Sequence, residues 1–521
     1  MRSPRFALIA ILALSPSPAP AQTFAVDDPV LRRIWQEGME RSQIPLLGQT
    51  LLDSIGPRLT GSPGMKAGND WLVAMYTRWG VTARNEPYGT WKGWRRGVSH
   101  VDLIAPRVRS LEATMLAWSP GTKRAEGKVV ILPDVPDSNA LVAWLPQARN
   151  AFVAISFPQP TCRPDQSWEA WAQAPAVERM KAQRDTARRA WDERVRRTGY
   201  QVRALPKRLE AAGARGILTN LWTGGWGADR VFDARTEKVP TVHLSCEDYG
   251  LVFRLAERNQ GPVIRMEAEA EFLGEVPVYN TVAEIRALEK PDEYVMLSAH
   301  FDSWDGSSGA TDNGTGTIVM LEAMRIIRAT YPAPKRTIVA GHWSGEEQGL
   351  NGSRAFAADH PEMVDGLQAL FNQDNGTGRV ANLSMQGLVN AGGVWGRWLA
   401  RLPGELTRNL SVQFPGTASG GGTDNASFVC YGAPAFGLGS LGADYSQYTW
   451  HTSRDTFDKL ILDDVKHNAT LTAMLVYLAS EEPERISRER RTLFPVNPQT
   501  RAPGSWPACQ PAARSSAESR R

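Results

Sequence analysis

Cysteine is scarce in this chain: four residues in 521, with no two of them in a CxxC pair. A thiolate zinc site and a dithiol redox motif both need that close spacing, so neither is expected. Cys162, Cys246, Cys430 and Cys509 read instead as structural bridges or buried thiols, with three full pairings left open. A dominant charge sign is also lacking, since 59 Lys and Arg stand against 55 Asp and Glu. The surplus sits on Arg2 and Arg5 at one end and on Arg501, Arg514, Arg520 and Arg521 at the other. The nearly neutral body between them offers no polybasic footprint for nucleic acid or an anionic membrane. No apolar run reaches the ~20 residues of a membrane-spanning helix. GxSxG, HExxH and GxxxxGK[ST] strings are missing as well, which removes the signals of a serine hydrolase, a zincin and a P-loop enzyme.

What is present suggests an exported protein of several units. Residues 1–21 read as a signal peptide, in which Arg2 and Arg5 precede an almost wholly apolar Phe6–Leu14 and Ala19-Pro20-Ala21 forms a small-x-small cleavage site. The mature protein is therefore expected to be secreted or periplasmic. Helical periodicity follows over Asp27–Gly48 and Gly68–Trp79, separated by the breaker string GPRLTGSP. From about Gly121 to Phe272 the texture changes to short β-rich runs around a charged helix at Trp168–Arg197, as expected of a β-rich unit inserted at 122–272 between an N-terminal part, 22–121, and a domain over 273–485. From Tyr279 onward strands alternate with helices, which predicts an α/β domain with a mostly parallel sheet and chemistry just after its strands. Residues 486–521, rich in Arg, Ser, Pro and Ala, are expected to be disordered apart from whatever Trp506 and Cys509 anchor.

The candidate site residues cluster at those strand ends. His300 and Asp302 close the apolar run EYVMLSA in SAHFDSWDGSSGATDNGTG, where a histidine can ligate a metal and a carboxylate two positions on can bond its other nitrogen. Asp312 follows in the same glycine-rich loop. The next strand runs into SGEEQGLNGSRAF, and two adjacent carboxylates, Glu346 and Glu347, raise each other's pKa unless cations compensate. Asp374 in LFNQDNGTG and His451 in YTWHTSRDTFDKL complete two histidines and three carboxylates at loop positions, a set that fits two divalent ions. Asp455 and Asp458 read as helix caps or first-turn acids. His100, His243, His342, His360 and His467 stand in no matching motif and read as structural, and the 18 Trp as buried or pocket-lining residues.

SAHFDSWDGSSGATDNGTG, WSGEEQGLNGSRAF, FNQDNG and WHTSRDTFD together resemble the co-catalytic di-zinc exopeptidase family, which includes secreted bacterial aminopeptidases and carboxypeptidase Q. GPRLTGSPGMKAGNDWL and YNTVAEI look like that family too, and the inserted unit resembles its protease-associated domain. The resemblance implies a twisted, mostly parallel mixed sheet between helices and two Zn2+ ions. Asp312 would bridge the ions, Glu347 and His451 would bind one, and His300 and Asp374 the other. Glu346 would be general base and acid, and Asp302 would orient His300. The substrate implied is a short peptide or dipeptide, with aminopeptidase and carboxypeptidase or dipeptidase action both open. Asn425 after Asp424 departs from an Asp-His found in relatives and bears on substrate contacts. A glutaminyl cyclase-like acyltransferase and a non-catalytic binding ectodomain are the alternatives. Oligomeric state is left open, a homodimer included.

Overall fold

In the computed structural model, which describes residues 27–496 and 501–520, the apolar runs of the C-terminal half form one continuous sheet. The expected signal peptide lies outside the described residues. Across the sheet the strands run Ser411–Gln413, Val380–Ser384, Ala435–Ser440, Leu367–Asn372, Lys290–His300, Arg336–Trp343 and Val263–Ile285. The four central strands, from Ala435–Ser440 to Arg336–Trp343, are mutually parallel. Val263–Ile285 and Val380–Ser384 join them antiparallel, so the sheet is mixed but mostly parallel, as expected.

Arg336–Trp343, Leu367–Asn372 and the carboxyl half of Lys290–His300 are buried on both faces, which explains why they read as unbroken hydrophobic runs rather than alternating ones. Val295, Leu297 and Ala299 point into a core made with the helices Pro63–Arg78, Thr315–Thr330 and Leu462–Glu481. Met296, with Val339 and Leu370 from the neighbouring strands, points into a second core with Phe356 and Phe428. The helix Thr315–Thr330 is buried over almost its whole circumference, because its outer face is covered by Leu462–Glu481 and the N-terminal helices. Its polar residues are consequently buried: Glu322 and Arg325 pair at 2.7 Å, and Arg325 also reaches Glu37 at 3.0 Å. The long N-terminal periodic segment breaks at Arg41–Gln43 into two shorter helical pieces.

A ribbon of two long antiparallel strands, Thr82–Ala105 and Val263–Ile285, carries the sheet outward into a second lobe. There the order continues through Thr122–Ile131, Phe152–Ala154, Gly216–Thr219 and Thr241–Leu244 to Ala113–Met115. The middle pairings are parallel with helices between them, so the inserted unit is α/β rather than β-rich. It also begins before residue 122, since Ala113–Met115 pairs with Thr241–Leu244 and Leu103 and Leu111 lie in its core. Strands of three or four residues are too short to set a visible period, and the ribbon strands belong to both lobes.

Disulfides join Cys162 to Cys246 and Cys430 to Cys509, and no cysteine is free among the described residues. The second bridge holds the tail at Cys509, one of the two residues expected as anchors. Beyond Cys509 the segment crosses onto the ribbon, where Thr90 N–H donates to the Arg514 carbonyl at 2.9 Å and Arg514 pairs with Asp359 at 2.6 Å. Trp506 donates from Nε1 to the Val429 carbonyl at 3.0 Å. Among the described residues no helix is long and apolar enough to cross a membrane.

Candidate metal centre

Lys290–His300 is the central strand, with the next strand in sequence on one side of it and Leu367–Asn372 on the other. Such a reversal of strand order opens a crevice at the carboxyl ends, where open α/β sheets bind ligands. His300 is the last residue of that strand, Glu346 and Glu347 lie in the turn after Arg336–Trp343, and Asp374 stands two residues past Leu367–Asn372. The remaining two groups come from loops. Asp312 lies in the turn Ala310–Gly314 that leads into the buried helix, and His451 follows the turn Tyr445–Thr449.

These five residues converge into two triads with one member in common: His300, Asp312 and Asp374, and Asp312, Glu347 and His451. The Asp312 oxygens divide between the two histidines, with Oδ1 3.3 Å from His300 Nε2 and Oδ2 3.0 Å from His451 Nε2. Asp374 Oδ1 is 3.0 Å from His300 Nε2, and Glu347 Oε2 is 2.9 Å from His451 Nε2. Asp312 Oδ2 and Glu347 Oε1 are buried without a hydrogen-bond partner. Asp312 Oδ2 thus lies close to His451 Nε2 without a hydrogen bond to it, as expected of lone pairs that face a shared point rather than one another. Oxygen and imidazole donors so arranged fit a pair of divalent ions of the zinc kind.

Asp302 holds its carboxylate Oδ1 3.7 Å from His300 Nδ1, within ion-pair distance but beyond hydrogen-bond reach. Its backbone carbonyl lies 3.1 Å from His300 Nδ1, so that nitrogen can donate and leave Nε2 bare. The fully buried carboxylate instead accepts from the backbone N–H groups of Glu346 at 3.2 Å and Glu347 at 3.3 Å, and from Thr60 Oγ1 at 3.3 Å. Asp302 therefore fixes the turn that presents both glutamates.

Burial and mutual repulsion dominate the electrostatics. Burial pushes Glu346 well above the usual carboxylate range, with Asp374, Asp424 and Glu347 adding to it and His300 opposing. Burial and the adjacent Asp312 push Glu347 up to about 7. Burial disfavours a charged His451, but Asp312 and Glu347 outweigh it and hold the imidazole at about 9. Cations bound here would supply the compensation that protons otherwise provide.

Several supporting residues carry no motif signal of their own. Arg58, from the GPRLTG string, is wholly buried and donates to the carbonyls of Phe301 at 2.7 Å, Ser308 at 2.8 Å and Gly309 at 3.1 Å, tying down the loop between His300 and Asp312. Asp455 caps no helix of its own. Its carboxylate accepts from the backbone N–H of Thr311 at 2.8 Å and of Asp312 at 3.1 Å. Burial, opposed by those bonds, pushes it up to about 7. Asp458 is a surface acid beside Lys459. Asp424 is fully buried with neither carboxylate oxygen hydrogen-bonded, while Asn425 bonds the Ala435 carbonyl at 3.4 Å within the core rather than facing a cleft. Of the other histidines, His342 bonds Tyr76 at 2.7 Å and His360 bonds Glu86 at 2.6 Å, and none of the five enters either triad.

Comparison with known proteins agrees with this geometry. Residues 280–476 match the model of Peptidase family M28, and all five triad residues fall inside that span. The chain is 25% identical over 440 residues to carboxypeptidase Q of Homo sapiens, covering 84% of this chain and 85% of that protein. Against the Mus musculus protein of the same name it is 24% identical over 441 residues, covering 84% and 86%. Among solved structures, a Peptidase M28 precursor from Shewanella amazonensis superposes with a TM-score of 0.63 at 22% identity, covering 88% of this chain and 97% of that one. A zinc aminopeptidase from Bacillus subtilis does so at 0.53 and 17%, covering 86% and 96%. Residues 280–476 of this chain thus match Peptidase family M28, and the fold and the two triads fit a peptidase of that kind.

Proposed function

We propose that the protein is an exported, zinc-dependent metallo-exopeptidase that hydrolyses short peptides or dipeptides. The observation that carries this reading is Asp312, whose two oxygens face two different imidazoles, each with a further carboxylate beside it. Asp312 would be shared by two zinc ions, Glu347 and His451 completing one site and His300 and Asp374 the other. Bound there, zinc supplies Lewis acidity to the scissile carbonyl and lowers the pKa of the attacking water.

The remaining work falls to the chain's own groups. Glu346, held by the Asp302 carboxylate and raised in pKa by burial, accepts a proton from the attacking water and returns it to the leaving amine. Arg58 and Asp455 keep the Asp312 loop rigid, so that the donors need not reorganise during turnover. Similarity to carboxypeptidase Q over most of both chains supports an exopeptidase, and two disulfides support an oxidising compartment.

Hydrolysis of a free dipeptide, its N-blocked form and its C-terminal amide tests this, with Glu346→Gln as control. Cleavage of the amide but not the blocked form identifies an aminopeptidase, the reverse a carboxypeptidase, and cleavage of the free dipeptide alone a dipeptidase. Glu346→Gln is expected to lower kcat about 10²–10⁴-fold while leaving metal content unchanged. No cleavage of any of the three above that control refutes the exopeptidase reading.

A further inference from the structure

The two histidines of the centre are held in different ways. His300 has a carbonyl at its outer nitrogen, the usual means of fixing the ring of a metal-ligating histidine. His451 has none: its Nδ1 is buried and without a hydrogen-bond partner. Its backbone is moreover in the left-handed region, at φ 57°, which a residue other than glycine keeps only where its surroundings impose it.

Those surroundings are aromatic, and part of them comes from the second lobe. Trp450 stacks on the imidazole with centroids 4.2 Å apart. Phe232 meets it edge-on at 5.1 Å and 88°, and Trp304 contacts both rings, at 6.1 Å from His451 and 5.4 Å from Phe232. Phe232 sits in a short segment that bridges the lobes. On one side its carbonyl accepts from Ala117 N–H at 3.1 Å, and Ala234 N–H donates to the Ala117 carbonyl at 2.8 Å. On the other side Val231 N–H donates to the His451 carbonyl at 2.7 Å, and Arg230 pairs with Thr452 in an antiparallel bridge. The Arg230 guanidinium lies over the Trp450 ring at 4.4 Å, closing the box from the second lobe.

We infer that Phe232 is a positioning residue for the His451 ligand, so that the second lobe sets the affinity of one of the two zinc sites, the one built from Asp312, Glu347 and His451. The inference rests on the metal-centre reading above. An aromatic edge and a backbone hydrogen bond, both reaching across from the other lobe, take the place of the carboxylate or carbonyl that would otherwise fix the imidazole. The second lobe is then part of the metal site and not only a wall of the cleft.

The test is stepwise zinc binding to the metal-free full chain, followed by competition with a chromophoric chelator, for the unmodified protein, Phe232→Ala, Phe232→Leu and Phe232→Tyr. Phe232→Leu keeps most of the apolar volume, so a folding defect in Phe232→Ala does not decide the outcome. Two zinc equivalents are expected in the unmodified protein. In Phe232→Leu one equivalent should weaken about 10–100-fold, the usual cost of losing a residue that orients a ligand, with the other unchanged. Phe232→Tyr, which retains the ring, should restore it. Cobalt(II) absorption, read in parallel, should change for one bound ion and not for the other. Two tight sites in the unmodified protein that stay within twofold in Phe232→Leu would overturn the inference and leave the metal centre standing. Failure of the unmodified protein to bind zinc would overturn both.

Discussion

Asp424 lies 0% exposed among residues that already carry an excess of carboxylate, and neither of its oxygens has a hydrogen bond. Burial, reinforced by Asp374 and Asp302 and opposed by His300 and Ser353, pushes it from an ordinary value of 3.8 up to about 7. In the metal-free protein this group is an acid whose folded value lies above its unfolded one. Between about pH 4 and 7 the unfolded chain therefore binds fewer protons than the folded one, and stability falls as pH rises through that window. Asp424→Asn removes this group's share of the dependence, leaving that of Glu346, Glu347 and Asp455. Calorimetry of the metal-free variant should give a higher Tm than the unmodified protein near pH 8 and a similar one near pH 4; equal Tm values near pH 8 would count against the assignment. The residue was visible in the sequence as part of GGGTDNASF, but its burial was not, because a glycine-rich string reads as a loop whether it faces water or core. The five triad residues were legible for the opposite reason. Each sits at the end of an apolar run or in a string with its own spacing, so type and position together suggested ligation.

At the scale of elements, strands and helices of ordinary length were readable from their period, whereas the segments that hold the site were not. GPRLTG predicts a turn, and its backbone does turn there, with Gly56 at φ 78° and Gly61 at φ 80°. Nothing in the string says that Arg58 points inward to bond three carbonyls of a loop some 240 residues on. That role depends on the tertiary approach of the N-terminal segment to the His300–Asp312 loop, for which a single sequence has no local signal. The same applies to Asp455, read as a helix cap or first-turn acid but bound to the backbone of residues 311 and 312. Arg58→Lys keeps the charge but loses the forked geometry needed to reach several carbonyls at once. It should cost about 2–4 kcal/mol in urea unfolding, the penalty for leaving buried carbonyls unpaired. It should also lower kcat more than it changes KM, because the loop that carries Asp312 loses its tether. Full activity with unchanged stability would show that the loop is held by other contacts.

For the molecule as a whole, the fold class was legible because alternating strands and helices leave few topologies for a parallel sheet. The division into lobes was legible only in outline, since the ribbon Thr82–Ala105 with Val263–Ile285 runs through both and the inserted unit borrows Ala113–Met115 from the segment before it. The candidate ligands are spread in a way that gives metal removal a global effect. His300 belongs to the central strand, Asp312 to the loop tied by Arg58 and Asp455, Glu347 to the turn fixed by Asp302, and His451 to a segment that bonds the second lobe through Val231. Ions that bind only this assembled arrangement stabilise it by mass action, about 2.7 kcal/mol for one site at a hundredfold excess over Kd. Chelation should therefore lower Tm, and zinc should restore it. The loosening should also be local before it is global. Amide hydrogen exchange is expected to speed up at Val231, Thr311 and Asp312, whose N–H groups hold the His451 and Asp312 segments, while Val295–Ala299 in the middle of the sheet keep their protection. Uniform acceleration throughout the chain would instead mean that the ions stabilise the fold as one unit, without a separable seam between the lobes.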